Sequence, residues 1–225
     1  MITKRLETYK GHTALITGGA SGIGLEFARI LARSEWNLIL VGRTESKTKT
    51  ADLSQSEEAY ELFNKYGNED PHVFLLINNA GTGLFGEILG QSPAELARMV
   101  ELNITSLTTL STLFGKKMAE QGGGYILNDG SLAGRSPMPF FASYGASKSY
   151  VHNFTVALRA ELADKMVHLT CLEPGYVRTS FDSNAKVENE SYLRFSERNA
   201  MSPKEVAEIG LRGLLKGKAR VVPGT

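Results

Sequence analysis

The stretch TALITGGASGIGLEFARILARSE, residues 13–35, decides the fold. It opens with TALIT (13–17), a short run suited to a buried strand. It closes with GLEFARILARSE (24–35), where Leu25, Phe27, Ala28, Ile30 and Leu31 recur at helical spacing. Between them lies TGGASGIG (17–24), in which Gly18, Gly22 and Gly24 let the backbone turn tightly and approach a phosphate closely. The helix that follows offers free N–H groups and a partial positive charge at its N-terminus. Glycines alone are turn formers, but a strand, a glycine turn and a helix in that order predict a dinucleotide site. An ATP-type phosphate loop needs a lysine directly after its last glycine, and Leu25 stands there instead.

Outward from this unit, strands and helices alternate. NLILVG (37–42), VFLLIN (73–78), GYILND (124–129), VHLTCLEPG (167–175) and ARVVPG (219–224) read as strands. SQSEEAYELFNKYG (54–67) reads as a helix with Ser54 at its N-cap and Glu57 completing a capping box. A long helix is expected over 92–121, with Ser92 at N-cap and Pro93 at N1. Further helices are expected over 142–164 and 202–217. Strands that are apolar throughout, separated by helices, indicate a parallel sheet covered on both faces. The expected architecture is one doubly wound α/β domain over 1–225, with its ligand at the carboxyl ends of the strands.

Composition excludes several classes. Lys and Arg total 25 and Asp and Glu 24, so a net charge of +1 gives no electrostatic case for nucleic acid or an anionic membrane. The one cysteine, Cys171, lies in the apolar run LTCL and rules out an internal disulfide framework, which fits a reducing cytoplasm. No apolar run reaches the roughly 18 residues of a membrane span, and no signal peptide is expected. His12, His72, His152 and His168 are scattered without ligand spacing, so no metal site is expected.

Two features bear on chemistry. The second strand ends in Gly42 and Arg43, where an NAD site usually places a carboxylate for the ribose 2′-hydroxyl. Arg43 offers a planar fork suited to a 2′-phosphate, so NADP(H) is favoured over NAD(H), the alternative being a solvated loop arginine. In ASYGASKSY (142–150), Tyr144 and Lys148 stand four residues apart, on one face of a helix. Taken alone, that pair also describes an ordinary surface helix.

TGGASGIG, NNAG (78–81), SYGASK and PGYVRT (174–179) together resemble the short-chain dehydrogenase/reductase family, in its order and spacing over essentially the whole chain. The resemblance implies a Rossmann-type fold and an oxidoreductase that interconverts a carbonyl and an alcohol. It implies that Tyr144 gives or takes the proton at the substrate oxygen, that Lys148 lowers the phenol's pKa and holds the nicotinamide ribose, that Ser131 bonds the substrate oxygen, and that Asn103 anchors a water relay. The cofactor site it implies comprises Thr17, Gly18, Ser21, Gly22, Ile23 and Gly24, then Asn79, Ala80 and Gly81, then Pro174, Gly175, Val177 and Thr179, with Tyr144 and Lys148. Asp52 and Leu53 match the family's adenine-contacting pair, although a strand end before a helix start reads the same way. The family commonly pairs its two long helices into a homodimer or homotetramer, and the outward candidates here are Leu107, Leu110, Leu113, Phe154 and Leu158, unless they belong to the core.

Three places depart from the pattern. Asp129 stands where an apolar strand residue is usual, and it needs a partner, an exit to water, or a raised pKa. Only RTESKTKTA joins the second strand to DLS, too short for a crossover helix, so 43–50 is expected to be a loop or a single turn with at most a very short edge strand. Beyond VVPGT, many relatives continue with a segment that closes the substrate pocket or subunit interface. The segment 180–200 is expected to form the lid. A non-catalytic dinucleotide-binding sensor or scaffold of the same fold is the alternative to an enzyme.

Overall fold

A computed structural model describes residues 2–43, 49–68 and 72–224. Seven strands form one parallel sheet: β1 (Thr13–Thr17), β2 (Asn37–Gly42), β3 (Lys49–Thr50), β4 (Val73–Asn78), β5 (Gly124–Asp129), β6 (Val167–Leu172) and β7 (Arg220–Val221). Their order is β3-β2-β1-β4-β5-β6-β7. The order reverses at β1, whose two neighbours are β2 and β4, so the crevice at the switch point opens above the carboxyl end of β1. There β1 runs straight into the glycine turn.

Helices cover both faces because β1, β4 and β5 are buried on both. Along β1, Ala14 and Ile16 face one core while Leu15 faces the other, the period of two that a strand imposes. The first core packs α2 (Gly22–Arg33) and α9 (Pro203–Leu215) on the sheet through Phe27, Leu31, Leu211 and Leu214. The second holds α3 (Ser56–Tyr66) and α5 (Leu107–Glu120) through Leu62, Leu110, Phe114 and Met118. Each such side chain contributes about 1.5–3 kcal/mol on burial. Helix α6 (Ala142–Glu161) lies against β6. Helix α9 starts on a capping box, Ser202 with Glu205, and has Pro203 in its first turn. A first helix, α1 (Ile2–Glu7), was not expected. Its Leu6 is buried and accepts a hydrogen bond on its carbonyl from Trp36 Nε1 at 3.1 Å.

Several expectations need correcting. The long helix over 92–121 is α4 (Pro93–Val100) and α5 joined by a π-helical turn, Glu101–Ser106. Helix α3 starts two residues after Ser54, with Gln55 at its N-cap. Ser54 lies outside the helix and donates its hydroxyl to Asp52 Oδ1 at 2.8 Å, a local side-chain bond that fixes the turn before α3. Leu107 and Leu110 are buried core residues, not outward ones. The strand expected over 167–175 stops at Leu172, and the helix expected over 142–164 stops at Glu161. The edge strand β3 has two residues, pairing Val41 with Lys49 and Gly42 with Thr50, as short as the linker length implied. Residues 44–48 of that linker lie outside the described residues. The remaining helices are α7 (Phe181–Asn184) and α8 (Glu190–Asn199), which make up most of the expected lid.

Candidate active site

The glycine turn is held by a set of neutral hydrogen bonds. Thr17 Oγ1 accepts from the backbone N–H of Asn79 at 3.1 Å and of Ala80 at 3.0 Å. Asn79 Nδ2 donates back to the carbonyls of Thr17 at 3.1 Å and Gly18 at 3.2 Å. Gly18 has φ +67°, which side chains rarely adopt. A Cβ on Gly24 would lie 2.2 Å from the Gly18 carbonyl oxygen, so only glycine lets α2 begin so close to the turn. This leaves an open cradle at the α2 N-terminus, and its residues fit the pyrophosphate of a dinucleotide.

A cleft of about 510 Å³ runs from this turn across the strand ends. Its size suits a bound small molecule. Gly18, Ser21, Gly22 and Ile23 line the cleft, together with Arg43, Asp52 and Leu53. Asn79, Ala80 and Gly81 also line it, as do Asp129, Tyr144, Lys148 and Thr179, with Thr179 packed beside Gly22. Arg43 is exposed, and its charge helps Ser54 hold the Asp52 carboxyl below its usual range. The other expected residues stand behind the lining. Thr17 and Gly24 shape the turn, and Val177 bridges to Met201. Pro174 accepts a hydrogen bond from Leu132 N at 3.0 Å, and Gly175 is exposed beside it.

Asn103 sits in the π-helical turn and clamps the chain after Gly81. Its Oδ1 accepts from Thr82 N at 3.0 Å, and its Nδ2 donates to Thr82 O at 2.9 Å. Nδ2 also reaches Ser147 Oγ at 3.1 Å, and Ser147 donates to the Tyr144 carbonyl at 2.7 Å. Asn103 is thereby tied to the helix that carries Tyr144 and Lys148. Ser131 caps a short 3-10 turn, Leu132–Gly134, accepting from Ala133 N at 3.1 Å. Ser149 Oγ donates to Gly134 O at 2.6 Å, docking that turn on α6.

Tyr144 and Lys148 are both buried. Lys148 Nζ lies 5.8 Å from the centre of the Tyr144 ring and donates to the backbone carbonyl of Asp129 at 2.7 Å. Burial raises the Tyr144 pKa. The Asp129 and Asp182 charges add to that rise, and a hydrogen bond from Ser131 opposes it. The net direction at Tyr144 is upward, with burial the largest cause. Burial also pulls the Lys148 pKa down, against the attraction of Asp129. Asp129 is pushed up to about 6 by burial, partly offset by Lys148. The rings of Phe181 and Phe141 lie 5.1 and 5.5 Å from that of Tyr144, so the expected lid packs directly over the phenol.

Sequence reasoning missed a charged cluster behind the site. Glu173, fully buried at 0% side-chain exposure, pairs with the Arg135 guanidinium and with His152 Nδ1 at 2.7 Å. Arg135 follows the Ser131 turn, His152 lies one turn beyond Lys148, and Glu173 precedes Pro174. One carboxylate thus ties together three segments that carry expected site residues. The only signal in sequence was a glutamate closing an apolar strand. His152, Cys171 and Glu173 place donor atoms within 4.8 Å of one another, but both Glu173 oxygens already have partners. Among the described residues, no helix is long and apolar enough to cross a membrane.

Residues 12–190 match the family model of the short chain dehydrogenases. The chain belongs to that family. The galactitol 2-dehydrogenase (L-tagatose-forming) of Cereibacter sphaeroides is 30% identical, over 89% of this chain and 87% of its own. A short-chain dehydrogenase from Sphingobium yanoikuyae, solved with NADPH, superposes with a TM-score of 0.84 at 26% identity, covering 95% of this chain and 88% of that one. A Burkholderia phymatum short chain dehydrogenase/reductase in complex with NAD shares the fold, with a TM-score of 0.81 at 22% identity over 95% of this chain and 89% of that one. The short chain dehydrogenases are oxidoreductases, and this member acts on a CH–OH or C=O group.

Proposed function

We propose that the protein is an NADP(H)-dependent oxidoreductase that interconverts a small-molecule carbonyl and its alcohol, with Tyr144 as the proton donor and acceptor. The observation that carries this reading is the single cleft that holds the glycine cradle, Arg43 and the Tyr144–Lys148 pair. Gly18, Ser21, Gly22 and Ile23 take the pyrophosphate, Asp52 and Leu53 the adenine end, and Arg43 the 2′-phosphate. Thr179, Lys148 and the Asn79–Gly81 stretch hold the nicotinamide half. The bound cofactor supplies the hydride.

The chain's own groups supply the proton. A buried phenol with a raised pKa stays protonated at neutral pH, which suits donation from Tyr144 Oη to a carbonyl oxygen. Ser131 steadies that oxygen. Lys148, held by the Asp129 carbonyl, keeps positive charge near the phenol as it gives up its proton. Asn103 fixes the backbone beside Lys148 and connects it to α6 through Ser147.

Assembly follows the same helices. Tyr150 stacks on Phe154 at 5.7 Å and meets Thr108 across the α5–α6 surface at 3.0 Å, and Tyr150 and Val156 are exposed there. This aromatic face supports a homodimer or homotetramer built through α5 and α6. Light scattering at micromolar concentration gives at least a dimeric mass, and a monomer rejects it.

The functional test is a panel of carbonyl compounds assayed with NADPH and NADH. Tyr144→Phe keeps the ring and removes the proton, so kcat falls roughly 10²- to 10⁴-fold while cofactor binding persists. Turnover near the wild-type rate in that variant sinks the role of Tyr144. Arg43→Ala weakens NADPH by about 1.5–3 kcal/mol, as for a hydrogen bond to a charged group, and leaves NADH nearly unchanged. Equal losses for both cofactors remove the 2′-phosphate assignment.

A further inference from the structure

We propose that the Asp129 carboxylate selects between the two oxidation states of the nicotinamide cofactor, binding the cationic oxidised ring in preference to the neutral reduced one. The inference rests on the dinucleotide reading of the cleft. Asp129 ends β5 and lines the same cleft as Tyr144 and Lys148, both of which feel its charge. Its Oδ1 is buried and has no hydrogen-bond partner among the described residues. The neighbouring cation bonds elsewhere on the same residue, with Lys148 Nζ donating to the backbone carbonyl of Asp129. A buried carboxylate oxygen without a donor is costly and is stabilised by any positive charge brought beside it.

The reaction brings one. In the oxidative direction the alcohol carbon would give a hydride to the bound oxidised ring and its hydroxyl would give a proton to the Tyr144 phenolate. The bound ring would be cationic before that transfer and neutral after it. A fixed anion beside Tyr144 and Lys148 would therefore hold the oxidised cofactor more tightly. The ionisable groups that face Asp129 are Lys148 and Tyr144 from α6 and Cys171 from β6. Of these Lys148 alone is a cation, so the preference depends on Asp129 remaining charged. It fades as pH falls and the carboxyl takes up a proton. The carboxyl then offers an O–H donor in place of a charge, and the site treats both ring states alike.

The test measures dissociation constants of NADP⁺ and NADPH for wild type and Asp129→Asn at pH 8, by calorimetry, with no substrate present. Both ligands carry the 2′-phosphate, so contacts at Arg43 cancel from the ratio. The asparagine side chain of that variant has the same shape as aspartate and no charge. The ratio Kd(NADP⁺)/Kd(NADPH) is expected to rise about tenfold in the variant, the change carried by one pKa unit of charge interaction. The wild-type ratio at pH 5 is expected to move toward that of the variant, a measurement that needs no substitution. An unchanged ratio, or equal weakening of both forms, overturns the role of Asp129 and leaves the dinucleotide site standing. Failure of wild type to bind either form overturns the dinucleotide reading itself.

Discussion

Two carboxylates end adjacent strands of the same sheet, and the fold treats them in opposite ways. Glu173, just past β6, is fully buried and bonded through both oxygens, to Arg135 and His152. Asp129, the last residue of β5, keeps one buried oxygen without a donor among the described residues and faces the cleft. Glu173 therefore cross-links three backbone segments, with both oxygens partnered. Asp129 retains bonding capacity, and its neighbours Tyr144 and Lys148 both feel its charge. A buried charge with all its partners is part of the scaffold, while one lacking a partner remains available to a ligand.

The contrast is broken most directly at Arg135. Replacing it with alanine leaves the buried Glu173 charge with His152 at 2.7 Å, the Cys171 thiol beside it and Arg220 at 4.0 Å. Loss of one partner of a buried pair costs about 3–5 kcal/mol. Urea unfolding of Arg135→Ala is expected to show a loss near the lower end of that range, since His152 remains. A loss below about 1 kcal/mol means that Glu173 is as free as Asp129, and the comparison collapses.

The opposite sign is expected at Asp129. Its pKa in the fold is about 6, above the ordinary 3.8. Folding therefore favours the protonated form. That contribution is complete below the unfolded pKa and is lost as pH rises through about 6. Above that pH the wild type carries the whole penalty, at most about 3 kcal/mol from the size of the shift. Asp129→Asn removes it, so the variant is expected to be more stable than wild type at pH 8 and nearly equal to it at pH 4. Destabilisation at pH 8 means that the carboxylate has a partner after all.

The same comparison explains what the sequence showed and what it hid. β1, β2, β4 and β5 were legible to the residue because each is an apolar run bounded by residues that break strands. The glycine turn was legible because Gly24 permits an approach that any Cβ would block at 2.2 Å. Asp129 was visible as a charge out of place in such a run. Its consequence was not visible, since the phenol's pKa depends on burial by Phe141 and Phe181 and on Asp182, contacts that exist only in the folded chain. The Glu173 cluster joins residues 21 and 38 positions apart in no repeating pattern. The π-helical turn at Glu101–Ser106 interrupts no apolar periodicity, so nothing marked it.

A third carboxylate, Asp52, offers the smallest and most surface-like version of the contrast. It is half-buried and lines the cleft near Arg43, and Ser54 donates to it from both its hydroxyl at 2.8 Å and its backbone N–H at 3.2 Å. Those bonds hold its pKa below the ordinary value, with the Ser54 hydroxyl the largest cause. The sign is the reverse of that at Asp129. A lowered pKa contributes stability that is present above the unfolded value and is lost as pH falls through the folded one. Ser54→Ala removes the hydroxyl and keeps the backbone donor. At pH 7 it is expected to cost about 0.5–1 kcal/mol, the net worth of one ordinary hydrogen bond, and the difference is expected to shrink as pH falls through the lowered folded value. Because Ser54 is not the α3 N-cap, the helix itself should be unaffected. A cost that persists unchanged at low pH, together with lost helical circular dichroism, returns Ser54 to a capping role.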